Sequence, residues 1–132
     1  CKSTPQEIPE GLSPAEYFQR AQEASDEGRY QQAMDIYRRF QSEYPEERDR
    51  QLWASYEIAL LYYKMGNTVE ALKGFEALLA QYAAAAAATP AEGEAPARPL
   101  PEGPRILAEK VRDRIIVETT EPKAEAEKPA SP

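Results

Sequence analysis

Histidine is missing from this chain altogether, and cysteine occurs once, at Cys1. The first absence removes the commonest general base and a favoured metal ligand; the second removes any disulfide within the chain. No apolar run approaches the roughly 20 residues that a membrane-spanning helix needs. There is no glycine-rich phosphate loop, no Ser-His-Asp or Cys-His set, and no carboxylate pair beside an evident apolar cleft. Nothing therefore assigns catalysis, and no cofactor or metal is expected. Basic residues are outnumbered, 16 Lys and Arg against 23 Asp and Glu, and a net charge of -7 repels phosphate backbones. Nucleic acid is not an expected ligand.

What is present is a repeat. Gly28, Ala33, Tyr37, Phe40 and Tyr44 recur as Gly66, Ala71, Phe75, Leu78 and Tyr82, each pair separated by 38 positions. A fixed period of a few tens of residues is the signature of stacked helical hairpins, each burying its apolar face only against a neighbour. The expected fold is all-α: two hairpins in a short right-handed solenoid, followed by a C-terminal capping helix.

Residues 1–12 read as a tether, interrupted by Pro5, Pro9 and Gly11 and reaching at most about 40 Å when extended. Ser13, Pro14 and Glu16 make a complete helix start, with Leu12 and Tyr17 placed as a hydrophobic staple. Tyr17, Ala21 and Ala24 then set the inward stripe of a first helix that Gly28 ends. Tyr30, Ala33, Met34, Tyr37, Phe40 and Tyr44 line one side of the second helix, which Pro45 stops. The third is expected from about Asp49 to Met65 and is apolar nearly all round over Ile58–Tyr63, as a helix covered on more than one side would be. The fourth starts at the cap Asn67 and overruns its packing surface through the alanine run Ala83–Ala88 before Pro90. Gly74, inside it, suggests a close backbone approach. The two repeats thus span 13–88, and 89–104 is an Ala/Pro-rich linker. A fifth helix is expected over 105–118, with Ile106, Leu107, Val111, Ile115 and Ile116 at helical spacing, and a disordered tail over 119–132.

Tyr17, Ala21, Ala24, Gly28, Tyr30, Ala33, Tyr37, Phe40 and Pro45, with Ile58, Ala59, Tyr62, Gly66, Ala71, Phe75 and Leu78, resemble the tetratricopeptide repeat. The likeness covers 14 to about 85; Thr68 departs from the usual aromatic and Ala83 replaces the closing proline. It implies an interaction scaffold for a protein or peptide partner. The long unit and the Tyr44-Pro45 closure resemble the outer-membrane lipoproteins of the BamD and CpoB type. That resemblance implies a place in the bacterial cell envelope, at the periplasmic face of the outer membrane, in outer-membrane protein assembly. Cys1, followed by Lys-Ser-Thr-Pro, resembles the lipidated first residue of such lipoproteins, so a membrane anchor on Cys1 is expected. The alternative is a soluble tetratricopeptide adaptor with Cys1 incidental.

In that family the first helices of the units line a concave groove. The equivalent positions are Phe18, Gln22 and Ser25 in the first unit and Trp53, Tyr56, Leu60 and Tyr63 in the second. They are the candidate partner-binding residues, since aromatic anchors with polar tips bind at low entropic cost. The competing expectation is that the fifth helix lies over Trp53, Tyr56, Leu60 and Tyr63. Glu46, Glu47 and Asp49 read as solvated loop carboxylates. Arg38, Arg39, Arg48 and Arg50 read as loosely paired surface charges.

Overall fold

A computed structural model describes residues 8–120. Cys1, most of the expected tether and residues 121–132 of the expected tail lie outside the described residues. Among the described residues there are five helices and no strand: α1 (Pro14–Asp26), α2 (Tyr30–Glu43), α3 (Arg48–Lys64), α4 (Thr68–Ala87) and α5 (Glu102–Thr120).

The start of α1 is built as its residues dictate. The Ser13 hydroxyl accepts from the Glu16 amide at 3.2 Å, and the Glu16 carboxylate accepts from the Ser13 amide at 2.9 Å. Two of the orphan donors of the first turn are thereby satisfied. Leu12 and Tyr17 are buried in one cluster. The two hairpin turns are the same turn built twice. Gly28 and Gly66 sit at φ of 78° and 81°, a region that costs a residue without a β-carbon least. Arg29 N–H donates to the Ala24 carbonyl and Gly28 N–H to that of Ser25; Asn67 and Gly66 repeat the pattern on Tyr62 and Tyr63. The paired bonds close each first helix on a left-handed glycine.

The core is two clusters that share α3. Tyr17, Ala21, Ala33, Met34, Tyr37 and Phe40 of the first hairpin pack with Ala54 and Leu61, and Leu52, Tyr56 and Ala59 pack with Ala71, Phe75 and Leu78 of α4. A helix flanked by α2 on one side and α4 on the other needs apolar residues round most of its girth, which is what Ile58–Tyr63 supplies. At Gly74 the expected close approach is present: an added Cβ would sit 2.8 Å from the Ala59 Cβ.

α5 packs against α4 and α3. Gly103 lies against Trp53 near the N-terminal ends of α5 and α3, and Glu118 meets Tyr63 near their C-terminal ends, so the two helices run parallel. Ser25 and Lys64, 3.3 Å apart near the C-terminal ends of α1 and α3, show the same relation one step back. α5 thus takes the place of the first helix of a third unit. It is longer than the expected 105–118, and its inward stripe differs from the expected one. Pro104, Ala108 and Ile115 are buried and Val111 half-buried, whereas Ile106, Leu107 and Ile116 are exposed. The spacing of four, three and four selects the covered side; with α3 and α4 on that side, Ile106, Leu107 and Ile116 meet no other helix among the described residues.

The segment between α4 and α5 has no helix over most of its length, but it is strapped down. The Arg48 guanidinium donates to the carbonyls of Arg98 and Pro99, and the Tyr82 hydroxyl donates to that of Pro101.

Candidate functional site

The face formed by α1, α3 and α5 is where the expected partner-binding residues fall. On α1, Phe18 is half-buried, its ring edge-on to Tyr37 at 5.3 Å and to Phe40 at 5.1 Å. Gln22 is exposed and donates to Asp26 at 3.0 Å. Ser25 is buried and its hydroxyl accepts from Lys64. So Phe18 packs within the first hairpin, Ser25 ties α1 to α3, and Gln22 is the one exposed side chain of the three.

On α3 the four candidates fall along one side, and α5 lies on it. Tyr56 is buried, 5.9 Å from the Phe75 ring and 6.1 Å from Trp53. Trp53, Leu60 and Tyr63 are half-buried and pack on the second core cluster. The Trp53 indole is so close to the α5 backbone that a Cβ on Gly103 would come within 2.5 Å of Cζ2. The Tyr63 hydroxyl donates to the Glu118 carboxylate at 3.0 Å. Burial and that carboxylate push its pKa above the ordinary phenol value. Of the two expectations for this stripe, the structure builds the covered one: the wall of the groove is shared with α5 rather than left open.

Sequence reasoning passed over the charged members of the same face. Trp53, Glu57, Leu60 and Lys64 follow one another at spacings of four, three and four, so a stripe of α3 runs through both charges. Glu57 is half-buried, and burial raises its carboxyl pKa, with Lys64 opposing. Its charge also reaches the Tyr37 phenol, which burial, Glu57 and Asp26 together push upward. The signal was available in the spacing.

Of the carboxylates expected in a solvated loop between the hairpins, Glu46 is exposed, but Asp49 belongs to the first turn of α3, where its Oδ1 is buried 3.0 Å from the Arg98 guanidinium. Arg39 meets Glu43 at 3.1 Å and Arg50 meets Glu47 at 3.6 Å, both at the surface. Arg38 departs from the expected ion pairing. Its guanidinium donates to the Tyr62 hydroxyl at 2.6 Å and lies 5.8 Å from that ring's centre. No helix of the described residues is long and apolar enough to cross a membrane.

Comparison with known proteins identifies the two hairpins. The family described as Tetratricopeptide repeat matches residues 16–47 and 53–85, one match for each hairpin. No curated protein and no solved structure matches the chain.

Proposed function

Because the chain carries two tetratricopeptide repeats, we propose that it is a protein-interaction scaffold of the bacterial cell envelope, holding a partner on the face formed by α1 and α3. Repeats of this family bind protein or peptide partners, and the fold presents the helical surface on which such binding takes place. The observation that carries the reading is the array on that face. Exposed Gln22, half-buried Phe18, Leu60 and Glu57, and exposed Lys64 offer polar and apolar contacts on rigid helices. The envelope location, the lipid anchor on Cys1 and the role in outer-membrane protein assembly rest on sequence likeness to the BamD and CpoB type of lipoprotein.

The test is capture of partners by the full native chain from detergent-solubilised membranes, compared with a Gln22→Arg variant. A partner lost with Gln22→Arg and kept with Glu76→Arg on α4 supports the face; one kept by both places binding elsewhere. Intact mass and detergent partitioning of the native protein test the anchor, since acyl chains shift both.

A further inference from the structure

The two repeat units are not equally filled. In the first, the Tyr17 ring is fully buried between α1 and α2, edge-on to Phe40 and Tyr44 at 6.2 Å, and its hydroxyl donates to Glu43. The same positions 38 residues on are Ser55, Leu78, Tyr82 and Gln81. Serine has no ring to place there. In the second unit Ser55, Leu78 and Gln81 line a cavity of about 230 Å³ between α3 and α4, with Gly74 and Ala77 as its small-residue wall. Ala77, Gln81 and Arg38 of α2, all exposed, form its rim, so it opens to solvent on the side that faces α2.

We infer that this cavity is a socket for a tyrosine side chain presented by a partner protein. The occupant follows from what the first unit does with the same frame. A ring entering from the rim lies on Leu78 as Tyr17 lies on Phe40, and its hydroxyl reaches the Gln81 amide as that of Tyr17 reaches Glu43. The cavity is below the roughly 300 Å³ at which pockets begin to hold cofactors and drug-sized ligands, and suits one side chain. Its polar groups leave room for a hydroxyl: Gln41 is engaged with the Ser55 hydroxyl at 3.0 Å, while the amide of Gln81 is exposed at the rim. Charge adds a second constraint. Arg38 makes no ion pair among the described residues; its positive charge at the mouth complements an acidic residue beside the incoming tyrosine, or the ring face itself. The identity of the partner rests on the scaffold reading above, but the socket is testable without one.

The probes are p-cresol, toluene and the dipeptide N-acetyl-Glu-Tyr-amide, titrated into the full chain and followed by amide chemical shifts. The expected result is saturable shifts at Ser55, Gly74 and Gln81 with p-cresol, several-fold weaker binding of toluene, and tighter binding of the dipeptide that Arg38→Gln reduces several-fold. Ser55→Tyr, which restores the first unit's ring, is expected to raise the melting temperature and weaken p-cresol at least tenfold. Ala77→Leu, an exposed helical position, obstructs the mouth without disturbing the core and is expected to do the same to binding. Shifts that do not saturate, toluene binding as well as p-cresol, or p-cresol binding unchanged in both Ser55→Tyr and Ala77→Leu would each overturn the socket. Failure of these titrations leaves partner capture by the α1–α3 face untouched, and failure of that capture leaves the titrations standing.

Discussion

The Tyr17 hydroxyl donates to the Glu43 carboxylate across the first hairpin, tying the start of α1 to the end of α2. Glu43 in turn accepts from Arg39 at 3.1 Å, and both bonds hold its pKa below the ordinary carboxylate value, that from Tyr17 foremost. Tyr17→Phe keeps the ring and removes the bond, so the expected loss is about 1 kcal/mol, small because the carboxylate stays in reach of water. Urea denaturation at neutral pH measures it.

The same pair fixes a pH dependence. Burial, and after it the Glu43 bond and charge, push the Tyr17 phenol up to about 12 from the ordinary 10.0. The unfolded chain therefore releases this proton first as pH rises. Its stabilising contribution is whole below pH 10 and is lost between pH 10 and 12. Stability curves over that range are expected to fall less steeply in Tyr17→Phe than in the native chain.

Glu57 makes the opposite case. Its raised pKa means that the native fold favours the protonated carboxyl. The ionised group costs stability at pH 7, and the cost fades as pH falls through the raised value toward the ordinary 4.5. Glu57→Gln is therefore expected to raise the melting temperature at pH 7 and to leave it nearly unchanged at pH 4.

Gly74 separates helix propensity from packing. Alanine is favoured over glycine inside a helix by about 1 kcal/mol, yet its Cβ would lie 2.8 Å from that of Ala59. Overpacking wins, and Gly74→Ala is expected to destabilise by about 1–3 kcal/mol. The double variant Gly74→Ala with Ala59→Gly relieves the clash and should recover most of that loss. Denaturation midpoints of the three variants decide it.

Trp53 reports on the seat of α5. A methyl at position 103 cannot coexist with the indole where it stands, and Ile115 is fully buried. Gly103→Ala and Ile115→Asp are both expected to shift Trp53 emission to the red and increase acrylamide quenching. Gln22→Arg, remote from α5, should change neither.

Much of the fold could be read from local chemistry. The Ser13–Glu16 cap, the two left-handed glycines and Pro45 set helix ends through bonds to the nearest few residues, and such signals survive in one dimension. The shared α3 was legible too, because a helix clad on two sides has to be apolar on both. α5 was harder. Its sequence carries more isoleucine than the surface it meets, so only the contacts with α3 and α4 pick out Ala108 and Ile115 over Ile106 and Ile116. The contacts of the linker were hidden for another reason: Arg98, Pro99 and Pro101 are held through carbonyl oxygens, which every residue possesses and no side-chain pattern reveals. Ile8 likewise packs on the first cluster from within the expected tether. At the candidate site the helical spacing was legible for all seven residues, whereas how far each is covered depends on the neighbour it meets: α2 for Phe18, α3 for Ser25, α5 for Trp53 and Tyr63.

The strap from Ala88 to Pro101 has a kinetic meaning. An arm fastened by Arg48 and Tyr82 cannot diffuse away when α5 lifts, so the helix faces its seat at an effective concentration on the order of millimolar. A ligand that reaches for Trp53 competes against a tethered rival, and gains entry only when its concentration, measured against its own dissociation constant, exceeds the helix's effective concentration measured against that of the seat.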